Sequence, residues 1–567
     1  MKLNAYRLLC ALLMATPLAG IAQSDNLALN SKDYILMDRL DVKLKHDSTL
    51  CFSTVKPFNR KTITERIFYI DSLDKAGALP VQLSAVDRYD IRCFLMENSD
   101  LAPERYLDSF QIKHPILNTF YKTAAHMYSV DTKEFTLKAD PVLNLQYGNA
   151  NDGTGATYQN TRGLFLRGDI GKKLGFYTYI SDNQERDPLY VRQYVDSNGS
   201  PNAGVPGVGF YKTYGRNGYD YFDFRGGISF DVIKTIHVQY AYDKLFIGNG
   251  FRSLELSDFS NNYLFLRLNT RLWKIDYEMI VAETIQSVPQ VGRDQRPKNY
   301  MTLHHLSTQV AKWLNVGLYE NIMESGVYGL QLSYLNPVIF YRATESNLGA
   351  SGKANVAIDL KSNIGRHVQL YGTLLFDEFQ IHEIVHYNDG SFTNKQAIQG
   401  GGKYIDAFGI RNLDLQGEVN IIRPFCYTNY DSTTNFTHYN QPLAHPLGAN
   451  IKEFVGLARY QPIPRLYLSG KLIYYLKGLD SAGENMGGDI FRSYDSRPRD
   501  YGFFIGTGLK VHSLTLGFNA SYELFDNAFI DLSATKRTYN VEGQPNSSVF
   551  FYSFGFRMNI ARRQFDF

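Results

Sequence analysis

The chain has no long uninterrupted apolar run beyond its amino terminus, and this absence argues against a transmembrane helix. Tryptophan is scarce, with 2 residues against 41 tyrosines and 37 phenylalanines. The net charge of +3 is too small to indicate nucleic acid or another strongly acidic partner. A hydrophobic share of 44% excludes a disordered protein. The 567 residues can therefore form several domains or one large barrel with an appendage.

The one clear apolar segment lies at the amino terminus, at residues 8–18. It follows the basic residues Lys2 and Arg7 and precedes a small-residue cleavage site at residues 20–22. This order predicts a signal peptide over residues 1–22 and hence a protein that leaves the cytoplasm.

Cysteine is also scarce, with 4 residues in the chain. Cys10 lies within the apolar segment, too early to be a lipidated cysteine. Cys51 and Cys93 lie in the same amino-terminal part, where an oxidising compartment permits a disulfide and two separately buried thiols are the alternative. Cys426 has no obvious partner.

What the chain does have is alternation of apolar and polar residues. From Tyr552 to Ile560 every second residue is large and apolar, and residues 513–524 repeat the pattern. Period-two alternation places one face of a strand in an apolar medium and the other face in a polar one. An alternating last strand followed by a terminal Phe567 is typical of outer-membrane β-barrels.

Residues 23–131 follow a different pattern, with apolar residues at helical spacing. Asn59 and Ser84 are candidate caps for two helices, and Pro115 interrupts a weaker third. We predict a small, mainly helical domain here, on the periplasmic side of the barrel. The candidate helices cover residues 62–76, 83–100 and 108–127.

From Lys133 onward the pattern predicts about eighteen strands, an even number as an antiparallel barrel requires. Pro141 suggests a bulge or an edge irregularity in the first strand. The predicted strands lie near residues 135–145, 161–170, 175–181, 219–231, 235–242, 262–272, 274–284, 300–310, 314–322, 354–364, 367–376, 404–413, 416–426, 452–461, 465–476, 501–511, 513–524 and 552–560.

The connections between these strands alternate between short and long. Trp273 and Trp313 both fall in short ones, where an aromatic girdle would lie. Tight periplasmic turns and long extracellular loops are the pattern of a barrel in the outer membrane of a Gram-negative bacterium. The predicted fold class is therefore an all-β transmembrane barrel over residues 132–567, in contact with outer-membrane lipid.

One motif matches an enzyme signature, since His382, Glu383 and His386 fit the zinc-protease pattern His-Glu-x-x-His. That chemistry needs a helix, and on a strand the two histidines would stand roughly 13 Å apart. The glycine run at residues 400–403 lacks the spacing of a phosphate-binding loop. We therefore predict no catalytic residue, no cofactor and no metal site.

Three loop segments are more distinctive, at residues 248–258, 334–342 and 439–448. One interpretation is that they fold inward and that their arginine and acidic side chains pair as a plug. The other interpretation is a ligand surface, because sugars stack on aromatic rings and hydrogen-bond to polar side chains. The candidate residues are Arg252, Asp258, Arg342, Glu345, Tyr430, Tyr439 and His445, with Tyr211 and Tyr214 as further stacking candidates.

Short motifs are spread over nearly the whole chain after residue 22. They are residues 248–258, Asn336-Pro337, Tyr341-Arg342, Asn394-Lys395, Arg423-Pro424, His445-Pro446-Leu447-Gly448, Asp38-Arg39-Leu40 and Lys56-Pro57-Phe58-Asn59-Arg60. Together they resemble the Wzi-type capsule-assembly outer-membrane proteins, and more narrowly the branch of the gliding-motility protein RemB. The resemblance implies an eighteen-stranded barrel with a periplasmic helical bundle and a lectin-like attachment of capsular polysaccharide. It carries over no sugar-contacting residue, because the loops differ most.

The expected function is a non-enzymatic outer-membrane barrel whose loops hold surface polysaccharide. A component of a gliding-motility or protein-secretion machinery, with periplasmic or outer-membrane protein partners, is the first alternative. A solute channel is the second, since a polar lumen would admit water unless plug loops block it. The lumen-facing residues predicted for it include His237, Gln239, Asn519, Glu523 and Arg557.

Overall fold

The computed structural model describes residues 25–101, 106, 109–112, 116, 119–198, 203–287, 296–337, 341, 352–377 and 389–567. Eighteen long antiparallel strands close into a barrel. They are β1 (Phe135–Ala150), β2 (Gly155–Ile170), β3 (Leu174–Arg186), β4 (Gly218–Ile233), β5 (Ile236–Asp243), β6 (Tyr263–Leu272), β7 (Ile275–Ile285), β8 (Lys298–Ala311), β9 (Leu314–Ser325), β10 (Lys353–Ile364), β11 (Val368–Asp377), β12 (Gln396–Tyr404), β13 (Leu413–Ile422), β14 (Ile451–Ile463), β15 (Leu466–Leu479), β16 (Leu509–Phe525), β17 (Ala528–Val541) and β18 (Ser547–Met558).

The barrel closes where β18 pairs with β1, from Phe551 opposite Ala150 to Met558 opposite Leu143. The predicted alternation is confirmed on β18, where Phe554 is 59% exposed on the outside and Ser553 is 6% exposed towards the lumen. The predicted fold class and strand number are therefore confirmed.

The connections divide the barrel into two ends. The turn end carries eight short connections, at residues 171–173, 234–235, 273–274, 312–313, 365–367, 405–412, 464–465 and 526–527, and the opposite end is the loop end. Trp273 and Trp313 lie at the turn end with 83% and 51% of their surface exposed, as an aromatic girdle requires.

The strand predicted at residues 404–413 is wrong, because β12 runs from Gln396 to Tyr404 and a turn follows. Gly400, Gly401 and Gly402 lie inside β12, where glycine usually weakens a strand. The ring of Tyr371 on β11 lies against Gly401, and a Cβ at that position would come within 2.5 Å of the Tyr371 hydroxyl. The glycine run therefore makes room for a lumen-facing tyrosine and forms no turn.

Two further errors cancel in the number of strands, because one predicted strand is absent and one strand was missed. The predicted strand at residues 501–511 is wrong, because the loop continues to Gly508 and β16 is one strand from Leu509 to Phe525. The prediction also missed β17, whose outward face carries polar residues such as Lys536 and Thr538 towards the loop end. That polar face hid the period-two signal.

Pro141 lies in β1 without a bulge, since the register with β2 continues through Pro141 opposite Leu164. On the other side of β1 the partner changes at this point. Tyr128–Asp131 pairs with β1 up to Ala139, and β18 pairs with it from Leu143 onward. The edge irregularity is therefore confirmed, because the proline lies where no ladder bond is needed.

In the described part of the chain, the helices α1 (Asp33–Leu44), α2 (Arg60–Lys75) and α3 (Ala85–Glu97) precede the barrel, and α4 (Leu189–Asn198) follows β3. The predictions of α2 and α3 are confirmed: Asn59 accepts a bond from the Thr62 N–H, and Ser84 forms a capping box with Asp87. Helices α1 and α4 were not predicted. None of the four is long and apolar enough to cross a membrane, within the described part of the chain.

The third helical candidate, over residues 108–127, holds at Ser109 and Phe110, which are helical, and is wrong from Gln111 onward where the structure describes it. Gln111, Ile116, Phe120 and Thr123 form isolated β-bridges there. Cys51 and Cys93 form no disulfide with each other and are two separate buried thiols, the second alternative given above. Cys426 is also a buried free thiol.

The helical region docks on the turn end through a buried ion-pair network. Arg39 of α1 contacts Asp87 of α3 at 2.9 Å and Asp406 of the 405–412 turn at 3.0 Å, and it also contacts Asp414 of β13. Lys43 pairs with Asp87 at 2.6 Å and with Asp406 at 2.9 Å. Arg39 belongs to the sequence motif Asp38-Arg39-Leu40, and its ion pairs join α1 and α3 to the barrel.

Three segments fold into the lumen and together form the plug. They are residues 244–262 between β5 and β6, residues 423–450 between β13 and β14, and residues 559–567 after β18. Ser257 donates its N–H to the Leu443 carbonyl at 2.7 Å, and the Tyr427 hydroxyl donates to the Leu254 carbonyl at 3.0 Å. The segment that precedes α2 joins them, because Val55–Lys56 pairs with Phe246–Ile247.

The apolar side of the plug packs on one side of the barrel. Leu245, Ile247, Leu254 and Leu256 are at most 1% exposed. They form one core with lumen-facing wall residues of β7 to β14, among them Ile280, Leu303, Leu375, Ile422 and Val455. The barrel therefore has a hydrophobic core on one side of its lumen, and this core holds the plug in place.

Phe567 does not end a lipid-facing strand, as the sequence pattern had indicated. The strand ends at Met558, and the tail turns back into the lumen. The Phe567 ring packs against Tyr194 at 4.3 Å, and its carbonyl accepts a bond from Arg537 at 3.3 Å. The aromatic residue anchors the tail within the plug.

Candidate functional site

A cavity of about 1370 Å³ occupies the side of the lumen opposite the plug core. It is lined by inner faces of β1 to β5, by the segment around α1 and by the polar side of the plug. Lumen-facing polar residues predicted from the sequence border it, including Asn519 and Arg557. We call this space the lumen cavity.

The cavity reaches the surface at a notch in the barrel wall near the loop end. Strand β5 pairs with β4 only from Gly226 towards the turn end, and the short strand Tyr211–Tyr214 pairs with β4 only up to Tyr221. Residues 222–225 of β4 therefore have no strand partner on this side. Asn262 fills part of the gap by donating its side-chain amide to the Phe224 carbonyl at 3.1 Å.

Aromatic and charged side chains surround the notch and line the cavity. Phe210 and Phe222 are 51% and 60% exposed, and Phe224 stacks with Tyr242 at 6.3 Å between ring centroids. Lys212 and Asp220 lie directly opposite each other on the short ladder. Apolar rings beside paired charges of both signs suit a ligand that has apolar and hydroxyl-bearing faces.

The inner wall of the notch is basic. Lys244 donates from Nζ to the Gly207 carbonyl at 3.1 Å and is 9% exposed. Burial and the neighbouring Arg225 lower the pKa of Lys244 to about 8. Arg563 of the tail donates to the Pro206 carbonyl at 2.8 Å and pairs with Glu185 at 2.8 Å. The loop that bears Phe210 is thus held by two cations of the plug.

Arg252 and His445, two of the predicted site residues, share one acidic partner. Arg252 pairs with Glu453 of β14 at 2.8 Å, and the His445 Nε2 lies 2.8 Å from the same carboxylate. Burial lowers the pKa of His445, so its imidazole is neutral. Its Nδ1 accepts the Leu447 N–H at 3.2 Å, which leaves Nε2 to donate to Glu453. In the plug Arg252 thus pairs with Glu453 of the wall, an acidic residue that the sequence analysis did not name.

Asp258 and Tyr439 border the lumen cavity together with Arg252. Asp258 accepts a hydrogen bond from the Asn30 side chain at 2.6 Å. The Tyr439 ring lies under Arg296 at 4.9 Å. The structure therefore brings these three predicted residues to one cavity, although none of them pairs with another.

The remaining tyrosines lie apart from the cavity. Tyr430 is 46% exposed on the loop-end surface, where its carbonyl accepts a bond from Ser493. Tyr211 is buried against Tyr219 at 5.0 Å, so its ring faces are not free for stacking. Tyr214 is 41% exposed at the tip of its hairpin.

The apolar loop at residues 334–342 does not fold inward where the structure describes it. His305 and Glu278 face the lumen, so their neighbours His304 and Tyr277 face outward. Tyr341 contacts His304, and the Tyr277 hydroxyl donates to the Pro337 carbonyl at 2.5 Å. The described part of this loop covers the outside of the barrel, which explains its apolar composition.

Some predicted residues lie outside the described part of the chain. They are Arg342 and Glu345, the zinc-protease motif at His382, Glu383 and His386, and the signal peptide at residues 1–22.

The sequence analysis missed the residues that form the notch, namely Phe210, Lys212, Asp220, Phe222 and Lys244. Their position depends on β5 ending at Asp243, eight residues into the strand. The segment after β5 was recognised as distinctive, but a shortened strand has no signature of its own in the sequence.

In fold the chain is similar to Wzi of Escherichia coli, an outer membrane protein involved in group 1 capsule assembly and described as a carbohydrate-binding β-barrel. The TM-score is 0.55 at 11% identity, covering 95% of this chain and 100% of that one. OccK8 (OprE) of Pseudomonas aeruginosa matches at 10% identity with a TM-score of 0.40, covering 74% of this chain and 98% of that one. OprD of the same organism matches at 10% identity with a TM-score of 0.40, and the match covers 74% of this chain and 95% of that one.

No protein-family model matches the chain, and no curated protein sequence does. The similarity to Wzi extends over the helical region as well as the barrel, since it covers nearly all of both chains. At 11% identity it shows the fold and no residue of a binding site. The chain thus has a closed β-barrel fold similar to that of the outer membrane protein Wzi.

Proposed function

We propose that this protein binds surface polysaccharide at the notch and in the lumen cavity behind it, without catalysing a reaction. The observation that carries the proposal is a cavity of about 1370 Å³, lined by polar and aromatic side chains, that reaches the surface between exposed aromatic rings. Binding sites for small ligands combine apolar walls with a few placed polar groups, and this lining has both. The helical region would then lie in the periplasm and the notch at the cell surface.

Two further facts support a saccharide as the ligand. The notch offers rings that are exposed and held by neighbours, such as Phe224 stacked on Tyr242. Wzi, which has the same fold, is described as carbohydrate-binding. The basic inner wall at Lys244 and Arg563 favours an acidic saccharide over a neutral one.

The test is retention of polysaccharide by the purified protein in detergent. We expect acidic capsule-type polysaccharide to bind, and neutral dextran to bind less. Phe210→Ala and Tyr439→Ala should each weaken binding about fivefold, because each removes one stacking ring worth roughly 1 kcal/mol.

The control is Tyr552→Ala, which removes a 52% exposed outward ring from β18, far from the notch. Binding that is equal in all three variants would place the saccharide elsewhere. No binding by the wild type, together with an intact barrel, would reject the proposed function.

The motifs shared with the RemB branch support a competing role in a protein machinery. A protein that co-purifies at equal stoichiometry, without bound polysaccharide, would favour that role.

A further inference from the structure

The plug places one acidic side chain against two polar residues of the wall. Glu255 of residues 244–262 approaches His305 of β8 and Asp359 of β10. Their ligand atoms all lie within 4.8 Å of one another, and the His305 Nε2 is 2.8 Å from an Asp359 carboxylate oxygen. The three residues are 1%, 1% and 0% exposed, respectively. None of them lines the lumen cavity.

Glu255 has no hydrogen-bond partner for either carboxylate oxygen among the described residues. Its backbone is nevertheless fixed, because its N–H bonds to the Ser253 hydroxyl at 3.0 Å and its carbonyl accepts from Tyr319 at 3.4 Å. An ionised carboxylate buried without a partner is strongly unfavourable. The fixed backbone holds the Glu255 carboxylate next to His305 and Asp359, where a bound cation would balance its charge.

Asp359 is held in place for the same site from its other side. Its Oδ1 accepts bonds from Asn249 at 3.4 Å and from Thr54 at 3.5 Å, while its Oδ2 faces His305. Gly317 of β9 lies beside it, and a Cβ at this position would overlap the Asp359 carboxylate. The glycine therefore leaves the space that the carboxylate occupies, and two outer groups orient it, as is typical of metal ligands.

We propose that Glu255, His305 and Asp359 bind one divalent transition-metal ion that fixes the plug to the barrel wall. Two carboxylates balance the charge of such an ion, and the set of carboxylate oxygens with one imidazole suits Zn²⁺ or Mn²⁺ better than a thiolate-seeking metal. Atoms that share one ion through bonds of about 2.1 Å lie about 3.4 Å apart. Sharing one ion would therefore require His305 and Asp359 to part slightly from their present 2.8 Å and the Glu255 carboxylate to adjust to the same spacing.

The ion would join three parts of the molecule at one point. Glu255 and Asn249 belong to the plug, His305 and Asp359 to the wall, and Thr54 to the segment before α2. The inference does not rest on the proposed saccharide binding, because the cluster is separate from the lumen cavity. Without an ion, burial and Asp359 raise the pKa of Glu255 well above its usual range, so a proton is the competing occupant.

The experiment uses the full chain in detergent, stripped with EDTA and dialysed against micromolar ZnCl₂ or MnCl₂. Elemental analysis should find one ion per chain, and CaCl₂ or MgCl₂ should bind far more weakly. Glu255→Gln and His305→Gln should each lower the affinity roughly 100-fold or more, since each removes a ligand. Asp258→Asn, on the same segment but outside the cluster, should keep the wild-type affinity.

A second measurement separates the ion from a proton at Glu255. With an ion, addition of Zn²⁺ raises the unfolding temperature of the wild type and leaves that of Glu255→Gln unchanged. If a proton occupies the site instead, Zn²⁺ has no effect on either protein, and the proposal fails. It fails also if Glu255→Gln, shown to be folded by its gel mobility without heating, binds the ion as the wild type does.

Discussion

At the scale of single residues, Arg252 joins the plug to the wall by a buried ion pair. It is 6% exposed and bonds to Glu453 through Nε and Nη2, at 3.2 and 2.8 Å, and through Nη2 to the Asp566 carbonyl. Burial alone would lower its pKa, but Glu453 outweighs this and raises it, so the guanidinium stays charged. One side chain thus ties two plug segments to β14.

Replacing Arg252 by methionine should loosen the plug. Removing one partner of a buried ion pair costs about 3–5 kcal/mol, because the other charge is left unpaired. We expect faster hydrogen exchange of residues 244–262, with the barrel strands unchanged. Arg499→Met, which removes an exposed loop arginine, is the control.

The double variant Arg252→Met with Glu453→Gln should recover part of the loss, since it leaves no unpaired charge. Equal exchange in the wild type and in Arg252→Met would show that the apolar core alone holds the plug.

The sequence pointed to Arg252 but not to its partner. Arg252 and Glu453 lie 201 positions apart, and the register of the barrel decides that they meet. Local features were predictable, because Asn59 and Ser84 cap helices through groups three residues away. Pairing across the lumen depends on the closed ring of strands, and no local pattern records it.

At the scale of elements, the docking of α1 and α3 on the turn end depends on charge. Burial would raise the pKa of Asp87, but Arg39 and Lys43 lower it to about 2. A carboxyl with a lowered pKa stabilises the folded form above its unfolded pKa of about 4 and loses that contribution as the pH falls towards 2. The lowered pKa of Asp87 corresponds to about 2–3 kcal/mol of stabilisation of the folded form at neutral pH.

The helical region should therefore detach from the barrel as the pH falls from about 4 to 2. Limited proteolysis by pepsin should cleave within residues 60–97 over this range, while the barrel stays intact. In Asp87→Asn the region should already be cleaved at neutral pH, where trypsin takes the place of pepsin, and its acid transition should be smaller. If the variant matched the wild type at every pH, the network would not control docking.

The elements themselves were largely predictable where one face meets lipid. Strand β18 alternates cleanly and was recognised, whereas β17 has polar outward residues near the loop end and was missed. The predicted position of β12 was wrong because the strand contains a glycine run. Gly401 in this run makes room for Tyr371 of the neighbouring strand, a contact that the local sequence does not reveal. The loop at residues 334–342 was one of three expected either to fold inward or to form a ligand surface, but its described part covers the outside of the wall.

At the scale of the whole molecule, the lumen of the barrel is filled by the plug core on one side and contains the lumen cavity on the other. The plug core fills the side of β7 to β14, and the lumen cavity runs from the segment around α1 to the notch. A barrel of eighteen strands leaves an aqueous channel when nothing fills it. The plug therefore decides whether this molecule holds a ligand or passes solutes.

Single-channel recording in planar bilayers distinguishes these two functions. We expect little steady conductance from the wild type, because residues 244–262 and 423–450 occupy the lumen. Replacing residues 246–260 by a short Gly-Ser linker removes one of these two obstacles and should raise the conductance roughly tenfold or more, towards that of an open barrel of this size. Shortening the hairpin tip at residues 481–484, between β15 and β16, should change nothing, since these residues lie outside the three plug segments. Porin-like conductance in the wild type would instead show that the lumen cavity is a conduit, and the saccharide-binding role would then have to give way to solute transport.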